Sequence, residues 1–230
     1  IYENDGNTNI IITGSNSELL SAELGSNLAG RFIEFFLYPF SFREYLSYHD
    51  ITVASENDLY RNMANLKRLF NDFLTYGGLP ESFSISMEST KFTYLQGIVS
   101  KVILDDVIER FSVRQPWVID KMLAYLLLNS GNIVSFSKLA AFVKVLGQSM
   151  NQETVITYVS YLMKALAIYE IQKFDWKINR VFETTRKYYA VDTGIVNLQA
   201  GLTSNYSKLL ENIVFLELRR RGKTIYFGMP

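Results

Sequence analysis

Residues Asn9–Ser17 read Asn-Ile-Ile-Ile-Thr-Gly-Ser-Asn-Ser, an unbroken β-branched run followed at once by a small polar cluster. Isoleucines without polar alternation suit a strand buried on both faces, as in a parallel sheet covered by helices. In open α/β sheets ligands sit beyond the carboxyl ends of the strands, and Thr13, Gly14, Ser15, Asn16 and Ser17 take that place here. Hydroxyl and amide groups there can orient a phosphate or a water. The groups that would hold the phosphate are missing. A P-loop needs Gly-x-x-x-x-Gly-Lys-[Ser/Thr], so that backbone amides and an ammonium cradle the β- and γ-phosphates, and the chain has no such stretch. It also opens without Met, ten residues before a strand of buried type. The expectation is a fragment holding half of a nucleotide site.

A chain of 230 residues can form one large domain or two small ones, each with a core. Its 48% apolar content and abundant aromatics argue against disorder. A formal net charge of zero removes long-range attraction to nucleic acid or anionic membrane as a whole-chain property, leaving local patches to be weighed. Without cysteine there is no disulfide, thiolate metal site or thiol nucleophile. The one histidine, His49, cannot anchor a multi-histidine metal site and reads as a surface residue near a helix end. No apolar run nears the roughly 20 residues that span a bilayer, and no signal peptide is visible. A soluble cytoplasmic protein is expected.

Phe32–Leu37 is a second strand-like run, ended by Tyr38-Pro39. Ser41-Phe42-Arg43-Glu44 fits a capping box and predicts a helix start. Ser47–Asn57 reads as a connection or weak helix. From Leu59 to Tyr76 apolar residues recur at three- and four-residue spacing, predicting one helix that Gly77-Gly78 ends and Pro80 keeps from resuming. A further amphipathic helix is predicted over Thr90–Phe111. It carries Asp105, Asp106 and Glu109, which could bind a divalent ion; flanking Lys101 and Arg110 favour a solvated helix face instead.

Helices are predicted at Trp117–Leu128, at Phe136–Val143 with Ser135 as cap, and at Asn151–Ala165. The alternating stretch Ala167–Phe174 and the return Arg186–Val191 then make a hairpin with its tip at Asp175–Thr185. Three helices followed by a hairpin is the plan of a winged helix. The third helix offers few cations. The wing carries Lys173, Lys177, Arg180, Arg186 and Lys187 against Asp175 and Glu183, a local excess of three positive charges. Lys177, Arg180, Arg186 and Lys187 are the candidate nucleic-acid contacts, although dedicated DNA readers are more basic and a packing or lid role is favoured.

Asp192-Thr193-Gly194 matches the aspartic-protease tripeptide, but that chemistry needs two aspartates in matched loops, and only one is present. A turn in which Asp192 bonds nearby amides is expected. Leu209–Gly222 is an amphipathic helix with a glycine stop. Lys223–Phe227 then starts a strand expected to find no partner within the chain.

Six stretches together resemble prokaryotic AAA-type ATPases that carry a DUF4143 C-terminal region: Ile12–Ser17, Leu28–Arg31, Tyr38–Tyr45, Tyr76–Glu81, Lys187–Gly194 and Leu210–Gly222. They follow the family's order across nearly the whole chain. The resemblance implies a mainly α fold with an α/β remnant. Residues 1–46 would be the C-terminal strands of the P-loop AAA-type domain, 47–114 a helical lid or linker, 115–194 the winged helix, and 195–230 the start of a nuclease-like α/β domain. Thr13–Ser17 looks like sensor 1, with Ser15 and Asn16 as catalytic candidates and Thr13, Ser15 and Asn16 toward the nucleotide. Arg31 stands where this superfamily often places an arginine finger; a structural turn is the alternative. The implied cofactors are ATP and Mg²⁺ in the full-length protein, with none expected in the fragment. No metal site of its own is expected. A homo-oligomer and DNA bound through the winged helix are the partners it allows, and a DNA-binding module without catalysis is the alternative function. Glu211 resembles the first acidic position of a PD-(D/E)xK nuclease-like domain, without the later positions that chemistry requires.

Overall fold

Capping side chains set where several of the helices begin. The computed structural model describes residues 11–14, 33–174, 185–201 and 205–228, apart from the side chains of 102, 103, 105 and 106. Helix α1, Phe42–Tyr48, starts at the expected box: the Ser41 hydroxyl accepts from the Glu44 amide at 3.2 Å, and the Glu44 carboxylate accepts from the Ser41 amide at 2.7 Å. Ahead of α1, residues 33–38 form no regular element, and among the described residues the expected strand there joins no sheet. Ile33, Phe35 and Leu37 are 80–90% exposed.

The helix expected over Leu59–Tyr76 is two, α2 (Glu56–Arg61) and α3 (Met63–Tyr76). A second capping box, Ser55 with Asp58, begins α2 early, and Asn62 closes it by turning its side-chain amide onto the Asp58 carbonyl at 3.0 Å. Gly77, at φ +80°, ends α3 as expected. The helix expected over Thr90–Phe111 is also interrupted. After α4 (Glu88–Gly97) the chain widens into a π-helical stretch, Ile98–Asp105, before α5 (Asp106–Arg110). The widened turns let Val99, Leu104 and Val107 all reach the core, which a continuous helix would spread over a broader arc.

Next come α6 (Pro116–Leu128), β1 (Ile133–Ser135), α7 (Phe136–Val145), α8 (Gln152–Lys164), β2 (Ile168–Gln172) and β3 (Thr185–Ala190). Ser135 and Asn151 cap α7 and α8 through the amides of Lys138 and Thr154. The antiparallel sheet has the order β1-β3-β2, with Ile133 opposite Lys187 and Ile168 opposite Ala190. β1 carries no sequence signal, because three residues show no alternation to read. The hairpin tip falls outside the described residues.

α9 (Thr193–Ala200), which the sequence pattern does not announce, and α10 (Tyr206–Arg220) follow, and Gly222 at φ +66° stops the chain after α10. The segment expected to stay unpaired does pair. Phe227 bridges Lys173 in parallel, its amide donating to the Gln172 carbonyl at 3.1 Å and its carbonyl accepting from the Phe174 amide at 2.8 Å. One hydrophobic cluster runs from Leu74 through α6, α7, α8 and the sheet to Leu209. A smaller one joins Tyr45 and Leu46 to Leu66, Leu69 and Phe73, and a third joins Ile171 and Tyr189 to Phe215 and Leu216. Among the described residues no helix is long and apolar enough to cross a membrane.

Candidate functional site

Of the residues nominated for nucleotide chemistry, Thr13 lies in the exposed stretch 11–14, which has no regular structure, while Ser15, Asn16 and Arg31 fall outside the described residues, as do Lys177 and Arg180. Arg186 and Lys187 are on β3 and tied into the fold. The Arg186 guanidinium pairs with Glu170 at 3.1 Å, both side chains being about 15% exposed, and Tyr188 donates to the same carboxylate at 2.9 Å. Lys187 pairs with Glu211 at 3.1 Å, and the Tyr189 hydroxyl donates to it at 2.7 Å. Burial and these carboxylates push both tyrosines far above the usual phenol range. Glu211 therefore anchors α10 to β3.

The structure instead gathers four sequence-distant motifs at one junction. At its centre is Asp192, 2% exposed. One carboxylate oxygen accepts from the Gly78 amide at 2.6 Å, the other from the Gly194 amide at 2.8 Å, so that Asp192 both caps α9 and grips the loop after α3. Burial pushes its carboxyl up to about 6, with the amides of Gly78, Gly194 and Ile195 pulling the other way. The grip dictates two glycines. A Cβ on Gly77 would fall inside the Asp192 carboxylate, and one on Gly78 would meet the Phe40 carbonyl oxygen. α9 also bonds the carbonyls of the last turn of α3: Asn197 donates to Leu74 and Thr75 at 3.0 Å each, and Thr193 donates at 3.3 Å to the Phe73 carbonyl, which also accepts from the Gly77 amide.

The fourth motif enters from α10. Asn212 is fully buried; its amide accepts from the Ala190 amide at 2.9 Å, donates to the Ala190 carbonyl at 3.0 Å and accepts from Ser130 at 2.7 Å. It extends the ladder along β3 where β1 has ended. Arg220 reaches the Tyr38–Tyr45 motif, donating to the Pro39 carbonyl at 2.8 Å, pairing with Glu217 at 2.8 Å and lying 5.7 Å from the Tyr38 ring centre. Beside it Arg219 lies 4.4 Å over Tyr169, whose ring is 6.4 Å from that of Tyr38. The Phe40 amide donates to the Gly78 carbonyl at 2.7 Å. A cavity of about 550 Å³ opens along this seam, walled by Phe42, Leu46, Phe73, Ile213 and Leu216.

Residues 67–206, more than half of the chain, match the family described as "Domain of unknown function (DUF8612)". The chain belongs to the DUF8612 family. DUF4143 was expected for the C-terminal region; the family matched is a different one, over residues 67–206. Residues 1–46 of this DUF8612 protein match an AAA domain, which supports the expected AAA-type relationship. Similar proteins include an uncharacterized protein of Haemophilus influenzae, 34% identical over 96% of this chain and 54% of its own length. An uncharacterized protein of Methanocaldococcus jannaschii is 34% identical over 95% of this chain and 49% of its own length. The chain thus spans about half the length of the curated relatives it matches. No solved structure matches it.

The matches divide the junction. Tyr38, Pro39 and Phe40 lie in the AAA-matched stretch, Gly77, Gly78 and Asp192 in the DUF8612 match, and Asn212 and Arg220 beyond both. Sequence reasoning finds each motif and misses that they meet. It gives Asp192 a local turn, whereas the Gly78 partner lies 114 residues away. Asn212 has a readable signal: it interrupts the apolar face set by Leu209, Phe215 and Leu216, where a buried amide needs several partners.

Proposed function

We propose that the protein is, or forms part of, an AAA-type ATPase in which the junction fastens the nucleotide-binding domain to the helical body. The observation that carries this reading is the AAA-domain match over residues 1–46, which ends at Leu46 inside α1. The expected sensor and the segment pinned by Arg220 and Gly78 therefore share one matched stretch. In this reading Thr13, Ser15 and Asn16 face the γ-phosphate or the attacking water, and Arg31 stabilises charge on the transferring phosphoryl group. ATP and Mg²⁺ are held in the full-length protein by a P-loop that these residues do not include. Residues 47–114 act as a lid, and the order α6-β1-α7-α8-β2-β3 with sheet order β1-β3-β2 supports a winged helix. The test is Mg²⁺-dependent phosphate release by the full-length protein beside this chain alone. Turnover is expected only in the former, and Arg31→Ala should reduce turnover far more than nucleotide affinity. Micromolar ATP binding by this chain alone would overturn the division of the site.

The same helix and strand order favours a second reading, a DNA-binding module. Lys187 and Arg186 are engaged with Glu211 and Glu170, so Lys177 and Arg180 are the phosphate contacts it proposes. Each phosphate contact should contribute a salt slope of roughly −0.9. A gel shift lost on neutralising Lys177 and Arg180 supports this reading; no shift at low salt removes it.

A further inference from the structure

We infer that Arg220 is a positioning residue that couples the AAA-matched stretch to α10, so that a change at the nucleotide site is felt along that helix. The inference rests on the ATPase reading. Packing joins α1 to α3 through Phe42, Tyr45, Phe70 and Phe73, with ring centres 5.0–5.5 Å apart for Phe42–Phe70, Phe42–Phe73 and Tyr45–Phe73. The seam between α1 and α10 is different. Along it runs the cavity of about 550 Å³, which leaves room for one side to shift against the other. At its edge Arg220 makes a pin: its Nη2 donates to the Pro39 carbonyl at 2.8 Å while its Nη1 is held by Glu217 at 2.8 Å.

Three features make this pin suited to transmission. A guanidinium is a rigid planar fork whose two ends hold two acceptors in fixed relative positions, whereas an ammonium on a flexible stem holds them only loosely. The Pro39 carbonyl belongs to the segment that leads directly from Arg31 through Ile33–Leu37, so displacement of that segment along its length pulls on the bond. Arg220 also lowers the Glu44 carboxyl, after the larger effect of the Ser41 hydrogen bonds, and so supports the capping box at the head of α1. On the other side, α10 is fixed to β3 by Asn212 and Glu211. A pull at Pro39 therefore reaches the sheet through one helix.

The experiment is hydrogen–deuterium exchange of the full-length protein with and without a slowly hydrolysed ATP analogue and Mg²⁺, alongside steady-state turnover. In the parent protein the analogue should slow exchange in peptides covering 1–37 and change it in peptides covering 206–222. In Arg220→Ala the first response should persist and the second should fall at least threefold, with turnover lowered about tenfold and the Michaelis constant for ATP little changed. Should Arg220→Ala not fold, Arg220→Lys decides, since it keeps the charge and an alkyl stem but loses the planar fork that fixes Pro39 against Glu217; it should lose at least half of the α10 response. A parent-like α10 response in the folded variant overturns the coupling. So does an absent α10 response in a parent protein that turns over ATP. Absent turnover and nucleotide binding in the parent would instead overturn the ATPase reading beneath it.

Discussion

The body of the molecule and its N-terminal approach are held by different means. From Leu74 to Leu209 the chain shares one apolar cluster, with Val99, Val107, Val118, Leu139 and Leu162 wholly buried. From residue 33 to Leu37 it lies outside regular elements and is exposed, and the ties that follow are few and named: hydrogen bonds from Arg220 to Pro39 and from Phe40 to Gly78, Tyr38 beneath Arg220, and ring contacts of Tyr38 with Tyr169 and Phe40 with Phe83. Apolar contact is spread over many atoms and tolerates adjustment, whereas a buried polar tie rests on one or two groups and leaves an unsatisfied partner when cut. The two regions should therefore fail differently. The body should lose stability as a whole, and the approach should come loose at named bonds.

The largest effect is expected where both modes meet. Asp192→Ala strips the acceptor from the buried amides of Gly78 and Gly194, and should cost roughly 3–5 kcal/mol in urea unfolding. Leu126→Ala, inside the body, should cost about 2–5 kcal/mol. The comparison lies in where the damage appears. Exchange should rise across all core elements in Leu126→Ala, and first in residues 38–45 and 76–81 in Asp192→Ala. A uniform rise in both would erase the distinction.

Acid gives the next effect, and its sign follows from the direction of the Asp192 shift. Its folded carboxyl titrates near 6 against 3.8 for an ordinary aspartate, so between those values the folded chain binds the proton more tightly than the unfolded one. Stability from this group is therefore present at pH 4 and lost as pH rises through 6, on the order of 3 kcal/mol. Glu44, whose carboxyl is lowered by the Ser41 bonds, works oppositely and loses its contribution as pH falls. The check is the difference between the parent and Asp192→Asn in urea midpoint from pH 4 to 7, which cancels the other carboxylates. The parent should lose ground to the variant as pH rises, and a gap that widens in its favour would reverse the assignment.

How much of this is readable in the sequence divides along the same line. Local signals carry the helix starts at Ser41, Ser135 and Asn151 and the stops at Gly77 and Gly222, because each cap acts within four residues of itself. The breaks at Asn62 and at Ile98–Asp105 escape notice because apolar spacing alone continues through both. β1 owes its existence to β3, some fifty residues on, and the Phe227 bridge to the end of β2. The candidate junction is visible as four separate motifs, and only three-dimensional packing shows that Asp192 and Arg220 bind two of them from a distance.

A smaller effect tests how α10 joins the body. Asn212→Leu keeps apolar volume but leaves the Ala190 amide and carbonyl and the Ser130 hydroxyl without their partner, and should cost about 1–3 kcal/mol. Asn212→Asp should retain the acceptor for Ala190 and Ser130 while losing the donor to Ala190, placing an unpaired buried charge there. It should be the worse of the two. Equal stability of all three proteins by thermal unfolding would mean that α10 is held by its apolar face alone.

The smallest effect is expected at Leu37, 90% exposed in the N-terminal approach. In this chain Leu37→Ser should change stability by less than about 0.5 kcal/mol, as surface substitutions away from special features do. In the full-length protein the proposed AAA-type domain would bury this stretch in a sheet, and the same substitution should then cost about 1–3 kcal/mol. Thermal unfolding of both proteins with and without the change gives the difference directly. Equal small effects would leave the approach an exposed tether in both. A large effect already in this chain would mean that Leu37 packs against the body, and the contrast between the two regions would give way.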